Sequence, residues 1–220
     1  KYEYTGWLNL SSNELLSPTI QRLYNDFSKN QDYEIYRYPF YQKATNLLAE
    51  LYGLNTDQIV LTAGSNNAIF LMLHCFGISI NKIILEHPNY ESYIQYAALN
   101  HIKVLTVNFE ERSQFIDIVK GEKNCIVEIT CPHGWSGNII DQRTMSETAD
   151  ICMKNNHILL IDEAYGVFAE IDHTDLLKKY DNVFILRSMS KSFGIASLRI
   201  GCVISSKENI SYFKRWYPSN

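Results

Sequence analysis

The chain has 220 residues, 46% of them hydrophobic, and its 24 acidic side chains outnumber its 20 basic ones to give a net charge of -4. This length and apolar content are enough to bury a large core. No basic stripe follows the chain, so a nucleic-acid-binding surface is not indicated. No apolar run reaches membrane-spanning length, and the first ten residues lack the layout of a signal peptide.

The five cysteines are scattered and odd in number, and the six histidines show no metal-ligand spacing. Such cysteines are typical of reduced thiols and not of a disulfide framework or a zinc site. We therefore expect a soluble, cytoplasmic protein without a bound metal.

Helical patterns alternate with short apolar runs along the chain. Ser17-Pro18 predicts the start of one helix, and a second, with Leu47 and Leu51 on its apolar face, should end at Gly53. Further helices are predicted near residues 67–76, 90–99, 142–155 and 207–215, and strands at 83–85, 103–107, 125–129, 158–161, 183–186 and 202–204. The alternation predicts a three-layer α/β/α fold around a mainly parallel mixed sheet. We expect an arm and one helix over residues 1–35 and a large domain over residues 36–206.

In such folds ligands lie at the carboxyl ends of the strands, which directs attention to the loops there. The loop after strand 158–161 reads Asp162-Glu163-Ala164-Tyr165. A carboxylate at the end of a buried strand is costly unless something pairs with it. Asp162 is therefore either a helix cap or buried ion-pair partner, or a carboxylate held against a cationic group of a ligand.

The loop after strand 183–186 places Ser188, Ser190 and Ser192 around Lys191, with Arg199 further along. Serine hydroxyls, backbone N–H groups and an arginine are suited to a phosphate dianion, and a lysine there can form a Schiff base. The plain alternative is a solvated polar loop. Arg199 weighs against that alternative, because it lies within an apolar run and needs an anionic partner.

A third loop carries Gly64, Ser65 and Asn66 immediately ahead of an apolar helical run. A glycine, a serine and a helix start form an anion-binding nest, since free N–H groups and the helix dipole point to one place. Many helices begin in this way, so the loop alone is weak support for a binding site.

Six segments of this sequence share a recognisable order. They are Asn9-Leu10-Ser11-Ser12-Asn13-Glu14, Arg37-Tyr38-Pro39, Gly64-Ser65-Asn66, His87-Pro88-Asn89-Tyr90-Glu91-Ser92-Tyr93, Asp162-Glu163-Ala164-Tyr165, and Ser188-Met189-Ser190-Lys191-Ser192-Phe193-Gly194 continued by Leu198-Arg199-Ile200-Gly201. In these segments the chain resembles the fold-type I, class I/II aminotransferases, enzymes that depend on pyridoxal 5′-phosphate (PLP). It looks closest to the histidinol-phosphate aminotransferase branch.

The resemblance implies a role for each matching residue. Lys191 would form the Schiff base with the cofactor and move a proton, Asp162 would pair with the pyridinium nitrogen, and Tyr165 would bind the 3′ oxygen of the ring. Tyr90 would stack on the ring. The residues implied for the phosphate are Gly64, Ser65, Asn66, Ser188, Ser190 and Arg199, with Tyr38 reaching the phosphate of a partner subunit in a homodimer. Tyr38 and Tyr90 belong to a set of 15 tyrosines, and each also fits a packing role.

The sequence departs from the family pattern at two places. The family's Asn-Pro-Thr-Gly loop appears as Cys131-Pro132-His133-Gly134-Trp135-Ser136-Gly137, so that Gly134 replaces an asparagine that shares the 3′ oxygen with Tyr165. His133 or Trp135 is a candidate substitute. The chain also ends about where the family's small C-terminal domain begins, so residues 207–220 are expected to start the connection to it in a longer protein.

Three functions remain open from the sequence. The first is an aminotransferase that moves an amino group between an amino acid, or a donor similar to histidinol phosphate, and a 2-oxo acid. The second is a PLP-dependent decarboxylase or lyase on the same scaffold, since a fold does not fix a reaction. The third is a non-catalytic relative that serves as a binding or dimerisation module.

Overall fold

The structure, a computed structural model, describes residues 12–29 and 40–217. Its helices are α1 (Pro18–Lys29), α2 (Gln42–Tyr52), α3 (Gly64–Gly77), α4 (Glu91–Leu99), α5 (Arg112–Gly121), α6 (Gln142–Lys154) and α7 (Lys207–Lys214). Its strands are β1 (Ile59–Thr62), β2 (Lys82–His87), β3 (Lys103–Asn108), β4 (Ile126–Thr130), β5 (Ile158–Asp162), β6 (Val183–Ser188) and β7 (Gly201–Ile204).

The strands form one sheet in the order β1-β7-β6-β5-β4-β2-β3. Strand β7 runs antiparallel to both of its neighbours, and the other pairs are parallel. Because β7 is reversed between β1 and β6, the carboxyl ends of β1, β6, β5, β4 and β2 all lie at one edge. Five loops that follow these strands therefore meet at that edge.

Two buried apolar clusters cover the two faces of the sheet. One includes Phe115 of α5 and Met145 of α6, and the other includes Met72 of α3, Tyr93 of α4 and Phe213 of α7. Strands β4, β5, β6 and β7 are buried along their whole length or nearly so, as strands covered on both faces must be. The predicted three-layer α/β/α fold with a mainly parallel sheet is confirmed.

Local signals in the sequence place the first two helices. The N–H of Thr19 donates to the Ser17 hydroxyl at 3.2 Å, which caps α1. Helix α2 ends at Gly53, whose φ of 63° is left-handed and whose N–H donates to carbonyls of the last turn. The sequence missed strand β1 and helix α5. Of the expected domain limits, residues 1–11 and 30–39 lie outside the described part, and those limits stay a prediction.

No helix in the described ranges has the length and apolar character that a bilayer crossing requires.

Candidate active site

A cavity of about 520 Å³ opens at the edge of the sheet where the carboxyl ends of the strands meet. Its volume is within the range of small-molecule and cofactor sites. The predicted site residues that line it are Ser65, Asn66, Tyr90, Asp162, Tyr165, Ser188, Ser190, Lys191 and Arg199. Asp162, Lys191 and Arg199 thus face a common cavity, as the sequence-based hypothesis requires. Tyr38 lies outside the described residues, so its predicted role stays a prediction.

Asp162 is the last residue of β5 and only 5% exposed. Its Oδ2 accepts a hydrogen bond from the Tyr93 hydroxyl at 2.9 Å, and its Oδ1 accepts from the N–H of Ala164 at 2.9 Å. Burial raises the pKa of Asp162, although these two donors act in the opposite direction. A cationic group in the cavity would therefore offset the cost of keeping this carboxylate ionised.

Lys191 projects into the same cavity from the loop after β6. Its Nζ donates to the Ser12 carbonyl at 2.6 Å and lies 5.8 Å from the centre of the Tyr165 ring. Burial lowers the pKa of Lys191, and the positive charge of Arg199 acts in the same direction. A lowered pKa increases the fraction of neutral amine, which is the form that attacks a carbonyl carbon.

Ser188, Ser190 and Arg199 line one part of the cavity, which we call the serine–arginine corner, and Arg199 packs closely against Gly64 there. Arg199 has a left-handed φ of 51°, and its Nη1 donates to the Ala196 carbonyl at 3.0 Å and to the Ser190 hydroxyl at 3.4 Å. Gly64 begins α3 with φ of 81°, and a Cβ added there would lie 2.7 Å from Nη2 of Arg199. Gly64 does not line the cavity itself. It makes room for the arginine that does.

Asn66, which lines the cavity, and Ser192, which follows Lys191, keep unused hydrogen-bonding capacity. Within the described residues, the buried atoms Asn66 Oδ1 and Ser192 Oγ have no hydrogen-bond partner. The Asn66 amide is held by the Tyr96 hydroxyl, 3.0 Å from Nδ2. Turning the amide by 180° would keep that bond, with Tyr96 donating, and would free N–H donors. Because Asn66 lines the cavity, its unpaired amide atom is available to a polar ligand there.

The two predicted aromatic contacts differ in their surroundings. The Tyr165 hydroxyl accepts a hydrogen bond from Asn13 Nδ2 at 3.0 Å. Tyr90 precedes α4 and is 56% exposed, so its ring lies at the cavity wall and not in the core. A ring in that place can stack on a flat ligand.

The loop that departs from the family pattern is ordered by His133. This side chain is 4% exposed, and its Nε2 lies 3.0 Å from the Pro88 carbonyl while Nδ1 lies 2.9 Å from the Ser136 hydroxyl. Both ring nitrogens of His133 are therefore already in use, which disfavours it as a substitute donor. Trp135, the other candidate, is 76% exposed. A Cβ at Gly134 would lie 3.2 Å from Cε2 of Tyr165, so the glycine also gives that ring space.

Several residues that line the cavity were given no role from the sequence: Ser12, Asn13, Glu14, Asn89 and Thr130. Ser12, Asn13, Glu14 and Asn89 belong to the matching segments, which was the available signal. His133 and Trp135, the two candidate substitutes, also line the cavity. Arg187, near the end of β6, has a different function: it pairs with buried Glu163 at 2.7 Å and with Asp172 at 2.8 Å.

Comparison with known proteins identifies the family of this chain. The profile of the family "Aminotransferase class I and II" matches residues 5–219, nearly the whole sequence. The chain belongs to this family. The resemblance seen in the motifs is confirmed, and the family's cofactor is PLP.

Individual relatives support the same placement. The chain is 31% identical over 176 residues to histidinol-phosphate aminotransferase 1 of Legionella pneumophila (strain Lens), an alignment that covers 76% of this chain and 48% of that protein. The chain thus spans about half the length of this curated relative.

Two solved structures share the fold of this aminotransferase-family chain. Histidinol-phosphate aminotransferase from Sinorhizobium meliloti, in complex with pyridoxal-5'-phosphate, has a TM-score of 0.78 at 17% identity, covering 93% of this chain and 57% of that one. L-threonine-O-3-phosphate decarboxylase from Porphyromonas gingivalis has a TM-score of 0.73 at 17% identity, covering 92% and 61%. At such identities the likeness shows the fold alone.

The residues of the cavity fit a phosphorylated pyridine ring. Ser188, Ser190 and Arg199 offer donors, Asn66 has one unpaired amide atom, and Asp162 offers a buried carboxylate. Lys191 contributes an amine to the same cavity. Among the described residues, no carboxylate lies within ion-pairing distance of Arg199. Its charge is therefore available to a phosphate.

Proposed function

We propose that this chain is the cofactor-binding part of a PLP-dependent aminotransferase that moves an amino group between an amino acid and a 2-oxo acid. The observation that carries the proposal is the convergence of Asp162, Lys191 and Arg199 on one cavity. Family membership supports it independently. A substrate similar to histidinol phosphate is the finer proposal, supported by the names of the relatives.

The cofactor, when bound, supplies an electron sink for the pair of electrons left at the substrate Cα. Asp162 would keep the ring nitrogen protonated, because its buried carboxylate is held by Tyr93 and Ala164 and faces the cavity. Arg199, Ser188, Ser190, Ser65 and Asn66 would hold the phosphate. Tyr165 would donate to the ring's 3′ oxygen, and Tyr90 would cover one face of the ring.

Lys191 would have two tasks. Its amine would bind covalently to the cofactor's aldehyde carbon, with loss of water. Once the amine of the substrate has displaced it, the free lysine would carry a proton between substrate and cofactor. The lowered pKa of Lys191, caused mainly by burial, suits both tasks, since each begins from the neutral amine. Tyr38 would reach the phosphate of a second subunit, so the proposal includes a homodimer. The buried, unpaired cysteines fit a cytoplasmic location.

The test is incubation of the purified protein with PLP, followed by visible absorption, borohydride reduction and peptide mass spectrometry. We expect a visible band and a reduced adduct on Lys191, and neither with Lys191→Ala. Lys179→Ala is the matched control, because the side chain of Lys179 is 62% exposed, pairs with Asp150 of α6 and does not line the cavity. No band, or labelling spread over surface lysines, would refute the proposal.

The decarboxylase alternative keeps support from the fold it shares with the Porphyromonas gingivalis enzyme. The same residues would hold the cofactor in either reaction, so only the products distinguish them. Release of CO2 from an amino acid without conversion of the cofactor to its amine form would favour the decarboxylase. A non-catalytic role predicts bound PLP that never reacts with amines, or no bound PLP at all.

A further inference from the structure

Glu128 is a buried acid beneath the cavity, and the proposed reaction does not use it. It lies in the middle of β4 and is 0% exposed. Thr130, two residues on, pairs in register with Asp162 of β5. Because side chains alternate along strands, Glu128, Thr130 and Asp162 project from the same face of the sheet. An acid in this place needs strong partners, since burial of a carboxylate is costly.

The partners of Glu128 lead directly to the cavity wall. Its Oε2 accepts from Asn89 Nδ2 at 2.5 Å, and its Oε1 accepts from the Thr130 hydroxyl at 2.7 Å. The other end of the Asn89 amide, Oδ1, accepts from the N–H of Tyr90 at 2.6 Å. A continuous chain of hydrogen bonds therefore runs from Glu128 through Asn89 to Tyr90, at the cavity wall.

Two other acids and a neutral phenol surround Glu128. Asp162 faces it from β5, the Tyr93 phenol from α4 and Glu86 from β2, where Glu86 is paired at 2.9 Å with Arg112 of α5. Burial raises the pKa of Glu128 to about 8; Thr130 and Asn89 oppose the rise, and the charges of Asp162 and Glu86 add to it. Without a ligand, Glu128 thus holds its proton at neutral pH.

We propose that Glu128 is a positioning residue of the cofactor site, fixing the Asn89–Tyr90 loop and releasing its proton when a cation comes to lie against Asp162. This rests on the proposed PLP site. A pyridinium beside Asp162 would cancel part of the negative field at Glu128 and so favour its ionised form. An ionised carboxylate is also the stronger acceptor for Asn89 and Thr130, so filling the site would tighten the loop that carries Tyr90.

The test uses pyridoxine 5′-phosphate, which has the ring and the phosphate but no aldehyde for Lys191. Its dissociation constant is measured by calorimetry for the unmodified protein and for Glu128→Gln between pH 6.5 and 8.5. If binding lowers the pKa of Glu128, binding releases a proton, and affinity relative to the variant rises with pH until it levels off above the ligand-free pKa. A tenfold relative gain corresponds to a pKa change of about one unit.

Two further variants make the outcome decisive. Glu147→Gln, an exposed change on α6, should follow the unmodified protein at every pH. Thr130→Val removes a donor that favours the ionised form, so it should move the rise to higher pH, and it carries the test if Glu128→Gln fails to fold. Parallel pH curves for Glu128→Gln and the unmodified protein, or an unshifted curve for Thr130→Val, would overturn this inference and leave the proposed PLP site unaffected. Failure of the unmodified protein to bind the ligand would overturn the PLP site as well.

Discussion

The hydroxyl of Tyr93 donates a 2.9 Å hydrogen bond to Oδ2 of Asp162. The tyrosine is completely buried in the apolar layer between α4 and the sheet, and its pKa is raised well above the usual range, first by burial and then by the charge of Asp162. The phenol therefore stays protonated and remains a donor. It orients the carboxylate and partly replaces the water that Asp162 lost on folding.

Replacing Tyr93 with phenylalanine should weaken PLP binding roughly tenfold, about 1.4 kcal/mol, because Asp162 loses a donor that stabilises its charged form. The measurement is a fluorescence titration with PLP. In an Asp162→Asn background the same substitution should have little effect on PLP affinity, since the carboxylate charge that the Tyr93 hydroxyl stabilises is already absent. Equal losses in both backgrounds would mean that Tyr93 acts only through packing.

Arg187 near the end of β6 and Arg199 in the segment between β6 and β7 should behave in opposite ways. Arg199→Gln should weaken PLP binding about 10- to 100-fold, because it removes charge-assisted hydrogen bonds to the phosphate, while the stability of the ligand-free protein changes little. The phosphate-specific readout is the affinity ratio of PLP to pyridoxal, which should fall toward one.

Arg187→Gln should instead lower the free energy of unfolding by about 3–5 kcal/mol, because the Glu163 carboxylate, which is 1% exposed, loses its arginine and keeps only His173 as a partner among the described residues. Asp172→Asn is the matched control: that carboxylate is 52% exposed, and its loss should cost less than about 1 kcal/mol. Chemical denaturation measures both. An Arg187 variant that keeps its stability and loses phosphate discrimination would reverse the assignment of the two arginines.

Gly64 and Gly53 provide a matched pair of left-handed glycines. Alanine at either position should destabilise the protein by about 1–2 kcal/mol, because both have positive φ. A Cβ at Gly53 meets nothing within 4 Å, whereas one at Gly64 lies 2.7 Å from Arg199 Nη2. We therefore expect only Gly64→Ala to weaken PLP binding as well, measured by titration at a temperature where both variants are folded. Similar affinities in the two variants would contradict the contact.

The sequence predicts those parts of this fold whose signals are local. Helix α6 and the buried strand β5 agree closely with their patterns, because a helical period and a run of β-branched residues each reflect burial on known faces. Strand β1 escaped prediction because it has four residues and its pairing with β7 is made far along the chain. Helix α5 escaped because its only buried residues are Phe115 and Val119, too few to make a clear stripe.

In the site, too, residues with a local sequence signal could be predicted and those that depend on distant contacts could not. Strand-end loops could be located from alternation, and this brought Asp162 and Lys191 to notice, because a polar loop after a buried strand stands out. The bond between Asn13 and Tyr165 spans 152 positions in sequence, and no local pattern encodes it. Glu128 was hidden for a different reason. One acid within the run 125–129 does not change a strand pattern, and only the packing of α4 and the neighbouring strands makes it fully buried.

That burial leads to a stability prediction for the ligand-free protein. The pKa of Glu128 is about 8 when folded, against an ordinary value of 4.5, so the unfolded chain releases this proton at lower pH than the folded one. Stability should then fall, relative to Glu128→Gln, by about 1.4 kcal/mol per pH unit between those two values. At pH 7 the variant should be more stable by on the order of 3 kcal/mol, and near pH 4.5 the two should converge.

Glutamine suits this comparison because it resembles the protonated acid. Its oxygen can accept from Asn89 while its amide donates to the Thr130 hydroxyl, so no buried polar atom is left unpaired. Urea denaturation across this pH range, with Glu147→Gln as the exposed control, measures the difference. A stability difference that does not change with pH would show that Glu128 is ionised in the folded protein throughout, held by stronger donors than Asn89 and Thr130 provide. The proton that the cofactor site is proposed to release would then not be there to lose.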